Sequence, residues 1–474
     1  MAGQTISTSE TKIESLKLQS SAYGVTIPLV FGVTRIAGNL VDYLGFTAIP
    51  RTTTQGGKGG GVKTQNTTYT YQADVIMGLC HGPITDVPRI WRGKKLYTGG
   101  YEPTSIATAS EGFTAASSGP MTYTVAHAAA LLSIVSVFGL VEGGVNEGGS
   151  PMYYAAPLAA GTEYTVSGGT VTVLAESQRG QALTVNYTYA TSTRPTTAMD
   201  KLGLSWKAGT IGQSVWSVLP AGRDVPYSGL AWVAGQGYDL GSGAQVDNHL
   251  FEVIAPLAYH LGSSVPDVDP ALALTAALTQ LQGGAGFPAA LLATWNDWSD
   301  YCVAHDLLVS PAIDSQVSAA EVVRRMAELT NTAPVYVDGR LDMVPLGDTT
   351  ATAHGRTYTP DITPVYDLDD EAYITNGDTA PVRPSLKSPA DRKNHIRVEF
   401  LDRGASGDRQ YNPSIAESKD QADIDANGLR SAEVMQAHWI CRPDVAQRVA
   451  QTLLQRSLYV CAEYRFDLPE HYSL

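Results

Sequence analysis

The stretch from Ser20 to Gly99 constrains the fold more than any other part of the chain. It opens as SSAYGVTIPLVFGVTRIAGNL, crosses glycines around one lysine, GGKGGG (Gly56–Gly61), and resumes as TYTYQADVIMGLCHGPITDVPRIWRGKKLY. Apolar and polar residues alternate on both sides of the glycines, many of them β-branched or aromatic, and Gly82-Pro83 marks a turn. A period of two puts one face of a strand in a core and the other in water. The stretch therefore predicts strands of a small barrel or meander carrying one long exposed loop.

At 474 residues the chain has room for three or four domains at about 100–200 residues each. Tyr (24) far outnumbers Phe (8), and Gly (46) and Pro (26) are frequent, a mix that favours strands, turns and amphipathic contact surfaces over helical bundles. Formal charge is −14 and uneven: residues 1–100 carry a net of +5 and the rest −19. An acidic bulk argues against a protein built to grip nucleic acid, and the basic start suits docking on an acidic partner. Cys80, Cys302, Cys441 and Cys461 show no CxxC or metal-type spacing and read as buried thiols of a reducing compartment. The opening MAGQTISTSETKIES has neither a basic nor an apolar signal region, so no secretory signal is expected. The apolar run Ala126–Val141 is broken by Ser133, Ser136 and Gly139 and predicts buried strands, not a membrane span.

Along the chain, residues 1–100 follow a polar, mobile leader. Residues 101–194 turn Ser-, Thr-, Ala- and Gly-rich, with a hairpin signal at Gly168-Gly169 inside YTVSGGTVTVL and clean alternation in ALTVNYTYATS. They predict an inserted β-sandwich, and residues 195–265 then complete the first domain. Helices are predicted over 271–282, over 289–305 with Leu292, Trp295, Ser299 and Cys302 on one face, and over 319–330. The last begins with a capping box, Ser318 and Glu321, ahead of the stripe Val322, Val323, Met326 and Leu329. Asp338-Gly339 predicts a hairpin in VYVDGRLDMV. Residues 345–390 read as loop, and Pro443 opens a helix over 443–458. YVCAEYRFDL is expected to run as a strand with Val460, Ala462, Tyr464, Phe466 and Leu468 inward, and homologous chains are expected to continue past Leu474. The fold class is mainly β with some α: a strand-built first domain, 1–100 with 195–265, the sandwich at 101–194, a helical segment at 266–330, and a last domain at 331–474.

No motif specifies a reaction. Lys58 lies among glycines, but the loop lacks the Ser/Thr and following helix of a phosphate-binding loop, so Lys58, Gly59 and Gly60 read as a flexible protein-contact loop. Arg89, Trp91, Arg92, Lys94 and Lys95 mix cations with an aromatic ring. On a strand Arg89 and Trp91 face opposite Arg92 and Lys94, which divides the charge and favours a docking patch over nucleic-acid binding. None of the nine histidines stands in HxxxH, HExxH or HxH spacing. The acidic runs at Asp367–Glu371 and Asp420–Asp425 lack the spacing of a calcium loop. Not an enzyme, no cofactor and no metal: those are the expectations.

The SAYGVTIPLVFG opening, the GGKGGG loop, the YTYQADVIMGLCHGPI run and the IWRGKKLY strand together resemble the hub region of bacteriophage tail-tip proteins, the family of tail host-specificity and baseplate hub subunits. SAAEVVRRMAELTNTAPVYVDGRLDMVPLGD, YDLDDEAYI and NHIRVEFLDRGASGDRQYNPSIAESKDQADIDANGLRSAEV follow in the family's order. Lacking are the fibronectin-like modules, fibre and receptor-binding end of longer members, and any peptidoglycan-cleaving domain. The resemblance implies a virion tail-tip subunit made in the host bacterial cytoplasm. It implies two tube-like β-barrel domains, 1–100 with 195–265 and 331–474, in a homotrimeric ring that adapts the sixfold tail tube around an axial DNA passage, and the acidic bulk is expected to line that passage. Implied partners are a distal tail ring protein, a tape measure protein and other tail-tip and receptor-binding subunits, without stable nucleic-acid binding or membrane insertion. The alternatives are a glycan-binding adhesin or depolymerase-like tail protein, or the hub of a contractile injection system.

Overall fold

The computed structural model describes residues 5–9, 11–14, 26–56, 63–145, 151–364, 366–375, 377, 380–469 and 472. The chain divides into two compact units, Gly99–Thr197 and the combined segments Met1–Thr98 and Ala198–Leu474.

In the larger unit, the alternating stretch folds into a long hairpin of Asn39–Gly56 against Lys63–His81. The second hairpin strand also pairs with Leu230–Gly241, and Ser205–Lys207 pairs with that strand in turn. Within the leader, Thr5–Ser9 forms a parallel strand on Lys63–Thr67, and the Ile13 amide donates to the Tyr71 hydroxyl at 2.9 Å. A second sheet runs Val33–Ala37, His249–Ile254, Asp86–Arg92, Lys95–Thr98. Ile36, Val75, Met77, Leu79, Ile90, Val233, Phe251 and Val253 belong to one shared core. Gly38 carries the chain from one sheet to the other: a Cβ there would meet Phe251 Cε2 at 2.6 Å.

Among the described residues, neither sheet closes on itself, contrary to the expected barrels. Closure needs the outermost strands to pair. Here Asn39–Gly56, Ser205–Lys207, Val33–Ala37 and Lys95–Thr98 each have a neighbour on one side only.

The rest of this unit packs helices against a small sheet. Asn412–Lys419, His395–Asp402 and Ser431–Gln436 lie in that order. They share a core with the helices Pro270–Thr279, Asn296–Ala304, Ala319–Leu329 and Pro443–Tyr459, through Leu274, Trp298, Cys302, Met326, Val398, Phe400 and Val449. Helix starts follow local chemistry. Asp269 accepts from the Ala271 amide ahead of Pro270, and Ser318 accepts from the Glu321 amide. The helix expected over 289–305 is shorter. Ala289–Leu291 is a 3₁₀ turn, and Leu292–Trp295 runs beside the hairpin strand Arg340–Pro345. There the Ala293 amide and Trp295 Nε1 both donate to Leu341 O. Pairing with a distant strand outweighs helical propensity there. The final strand also departs from expectation: only Ala462–Arg465 pairs, with Arg383–Leu386, and Val460, Tyr464 and Phe466 are exposed instead of inward.

The smaller unit packs a sheet ordered Pro151–Pro157, Leu131–Val145, Ala182–Thr196, Gly100–Thr114 with the sheet Tyr164–Ser167, Thr170–Val173, Met121–Thr124. Val137, Val171, Val173, Leu183, Val185 and Tyr187 share its core. Glu111 gathers the hydroxyls of Tyr123, at 2.5 Å, and Tyr187, together with the Ala126 amide at 3.1 Å. Burial alone would raise the pKa of Glu111; the phenol and amide hydrogen bonds outweigh it and hold the carboxyl below its usual range.

Candidate functional site

Lys58, Gly59 and Gly60 lie outside the described residues. The basic cluster that follows them is divided by the strand Asp86–Arg92. Arg89 grips Glu252 through both its Nε, at 2.5 Å, and its Nη2. Trp91 is 2% exposed and packs edge-on against Tyr411, ring centroids 6.2 Å apart. Arg92 donates to Asp247 and to Asp239 O, both at 2.7 Å. Lys94 and Lys95 remain at the exposed turn, where Lys95 Nζ stands 4.9 Å from the Tyr97 ring centroid. Arg89 and Trp91 are thus committed to contacts inside the chain. The two lysines are exposed.

Following Arg89 inward leads to a buried charged lock. Glu252 sits mid-strand in His249–Ile254, between Phe251 and Val253, with its side chain 3% exposed. Besides Arg89 it accepts from the Tyr411 hydroxyl at 2.6 Å. Tyr411 arrives on the loop that joins His395–Asp402 to Asn412–Lys419, from the helix-backed sheet. The same loop carries Arg403, whose guanidinium holds Asp267 in a two-pronged pair, 2.9 Å at each oxygen, and donates to Val33 O at 2.9 Å. Ser310 donates to Asp267 at 2.6 Å and accepts from the Val33 amide at 3.2 Å. Arg35, two residues further along that strand, donates to the carbonyls of Gln410 and Tyr411 and stacks over the Trp91 and Tyr411 rings at 5.3 and 5.6 Å. One loop therefore plugs into the edge of the Val33–Ala37 sheet.

The electrostatics are those of a clamp and not of a proton relay. Burial would lower the Arg403 pKa, but the charge and hydrogen bonds of Asp267 more than compensate and raise it. Burial, then Glu252, raises the Tyr411 phenol far above its ordinary value, so it stays a donor. Burial also pushes the Cys441 thiol up to about 12, which leaves it protonated and unreactive. A second junction forms at Asp306, which accepts from Arg442, Arg448 and His354 at 2.8–3.1 Å. It ties the start of the helix Pro443–Tyr459 to the helical core. Among the described residues, no three His, Cys, Asp or Glu side chains stand together as a metal site.

Arg35, Glu252, Asp267, Arg403 and Tyr411 are absent from the residues singled out by sequence. One signal for the lock was present: Glu252 is a lone carboxylate in the apolar run HLFEVIAP, and a charge at an inward strand position needs a buried partner. Its partners lie 163 and 159 residues away, a separation that no local pattern bridges.

Comparison with known proteins adds a context. Residues 318–474 match the model of the family Phage-tail_3, described as "Putative phage tail protein". The similarity is to phage tails. A chain of the virion of the native gene transfer agent particle shares the fold at 13% identity and a TM-score of 0.50, over 98% of this chain and 81% of that one. The 43 kDa tail protein of prophage MuSo2 from Shewanella oneidensis aligns over 80% of this chain and 81% of its own at 9% identity, with a TM-score of 0.22. No curated protein sequence matches the chain.

Proposed function

We propose that the chain is a structural hub subunit at the tip of a phage-type tail. Three copies form a ring that adapts the sixfold tube above, connects to host-recognition parts below and leaves an axial DNA passage. The observation that carries this reading is the fold shared along 98% of the chain with a component of a virion. The tail-family match over 318–474 supports it. The buried lock suits such a role: a part that bears load during genome ejection gains from halves joined by buried charge pairs, which cost several kcal/mol to break singly. Its role is assembly, not catalysis. Its partners are further copies of itself, a distal tail ring protein, a tape measure protein and receptor-binding subunits, and it is built into the virion from the host bacterial cytoplasm. The acidic bulk faces the passage, where like charge keeps DNA from adhering. In the alternative glycan-binding reading Trp and Tyr residues would stack on sugars; Trp91, Trp232, Trp295, Trp298 and Trp439 are buried, which leaves that role to exposed tyrosines such as Tyr101, Tyr153 and Tyr154.

Electron microscopy of the purified protein tests the proposal. A threefold ring with an open axis is the expected image. A monomer that stays single in the presence of tail-tube protein would refute it.

A further inference from the structure

The smaller unit is short of charge. Residues 99–197 hold six glutamates and two arginines, and neither aspartate nor lysine. That is about a third of the charged share of an average protein. Most of these groups are engaged within the chain: Glu111 by two phenols, Glu176 by Arg179, and Glu102 by Arg194.

The shortage shapes the outer face of the four-stranded sheet. Val137, Val185 and Tyr187 point into the core, so their neighbours along each strand point away from it. Cross-strand pairing sets the outward residues in two rows: Thr108, Thr188 and Ser133, then Ser110, Asn186 and Ser136. The rows lie about 6.8 Å apart along the strands, and their members about 4.8 Å apart across them. All six are exposed or half-buried. Ser133 Oγ and Thr188 Oγ1 share a hydrogen bond of 2.8 Å, and Asn186 Nδ2 donates to Ser136 Oγ at 3.0 Å. A hydroxyl has one donor and two acceptor positions, so much of their capacity faces outward. Gly112, next outward after Ser110, leaves the floor bare; a Cβ there would meet nothing nearer than Leu183 O at 3.8 Å.

Apolar contact is offered beside the rows. Two bulges release Leu132 and Val135, next to Ser133 and Ser136, to 44% and 62% exposure. Tyr153 is 55% exposed and lies on the same face, opposite Glu142. Glu142 is six residues from Ser136, roughly 20 Å of strand, so a polymer and not a single small molecule reaches both the rows and the phenol ring.

Hydroxyls that give and accept, set beside apolar groups without a charge, suit a ligand of the same kind. A sugar ring carries hydroxyls around its rim and C–H groups on its faces. Nucleic acid or an acidic lipid would need cations. A protein partner would bring charged side chains, about a quarter of its residues, to rows that pair none of them. We propose that this face binds a neutral polysaccharide, with Tyr153 stacking on one sugar ring while Asn186 and the flanking hydroxyls bond the hydroxyls of others. The proposal goes beyond the hub reading and does not rest on it.

Affinity electrophoresis of the full chain tests it, in gels cast with a neutral polymer (dextran, mannan or a soluble β-glucan) or with polygalacturonate as the acidic counterpart. Retardation is expected from at least one neutral polymer and not from the acidic one. Tyr153→Ala and Asn186→Ala should each weaken it by about tenfold, the loss of one good contact, while Tyr153→Phe keeps it. Should Asn186→Ala misfold by circular dichroism, Ser110→Glu at the exposed edge strand takes its place. Thr122→Ala with Thr172→Ala, paired on the outer face of the opposite sheet, should change nothing. If no neutral polymer retards the chain, or polygalacturonate retards it equally, the proposal is overturned. So it is if Tyr153→Ala and Ser110→Glu bind as wild type does, and the face is then left to a protein or to water. A threefold ring that ignores every polymer sinks this inference alone, and a polymer-binding chain that stays monomeric sinks the hub reading alone.

Discussion

Replacing Arg403 with methionine is expected to strand Asp267. That carboxylate is 1% exposed, and Arg403 supplies both of its charged hydrogen bonds, leaving only Ser310 after the change. Val33 O loses a donor as well. Removing one partner of such a pair costs about 3–5 kcal/mol, chiefly the desolvation of the charge left behind. The larger unit comprises Met1–Thr98 and Ala198–Leu474, roughly 375 residues. Taking its unfolding entropy as about 2.1 cal/mol/K per residue, 4 kcal/mol lowers its melting temperature by about 5 °C. Calorimetry reads that shift directly. The companion measurement is the double variant Asp267→Asn with Arg403→Met, which removes the orphaned charge and should recover about 2 kcal/mol relative to the sum of the single losses. A drop below about 1 °C for Arg403→Met, or strict additivity in the cycle, would refute the view that this loop is held by charge.

Three further outcomes are expected. Glu111 has a folded pKa below its unfolded value, so its stabilising effect is complete above the ordinary carboxylate range and is lost as pH falls through the depressed folded value. Melting curves of wild type and Glu111→Gln, followed for the smaller unit, should therefore differ at pH 7 and converge in acid; a constant difference would contradict this. Asp306→Ala releases Arg442, Arg448 and His354 and should cost about 3 kcal/mol, whereas Asp306→Asn, which tolerates the φ of 54°, should cost less; chemical denaturation separates them. Gly38→Val must displace Phe251 and should cost about 1–3 kcal/mol, with amide exchange quickened in both sheets that meet there.

What the sequence made legible is local. Ser318 and Glu321 mark a helix start that the structure places at Ala319, and Asp338-Gly339 turns a hairpin with both residues at positive φ, 49° and 74°. Gly168-Gly169 does the same at 54° and 79°. In each case the residues that decide the conformation are adjacent in the chain. Leu292–Trp295 shows the limit: its spacing suits a helix, but Leu341 captures its backbone from a distance. Alternation in YVCAEYRFDL likewise predicts one apolar face without saying what covers it, and within this chain Val460, Tyr464 and Phe466 remain exposed. Strand closure and the Arg403–Asp267 pair depend on which segments meet, information that period and propensity do not carry.

The junction at Gly38 has a mechanical consequence. The strand that leaves it, Asn39–Gly56, is 18 residues and so about 60 Å long, and the strand that enters it, Val33–Ala37, carries Arg35. A single residue with no side chain is thus the fulcrum of a lever, its short arm set against Phe251 and pinned by Arg35 to the loop carbonyls of Gln410 and Tyr411. Torque applied to the long arm passes through covalent backbone to the pinned end, without a slack connector in between to absorb it.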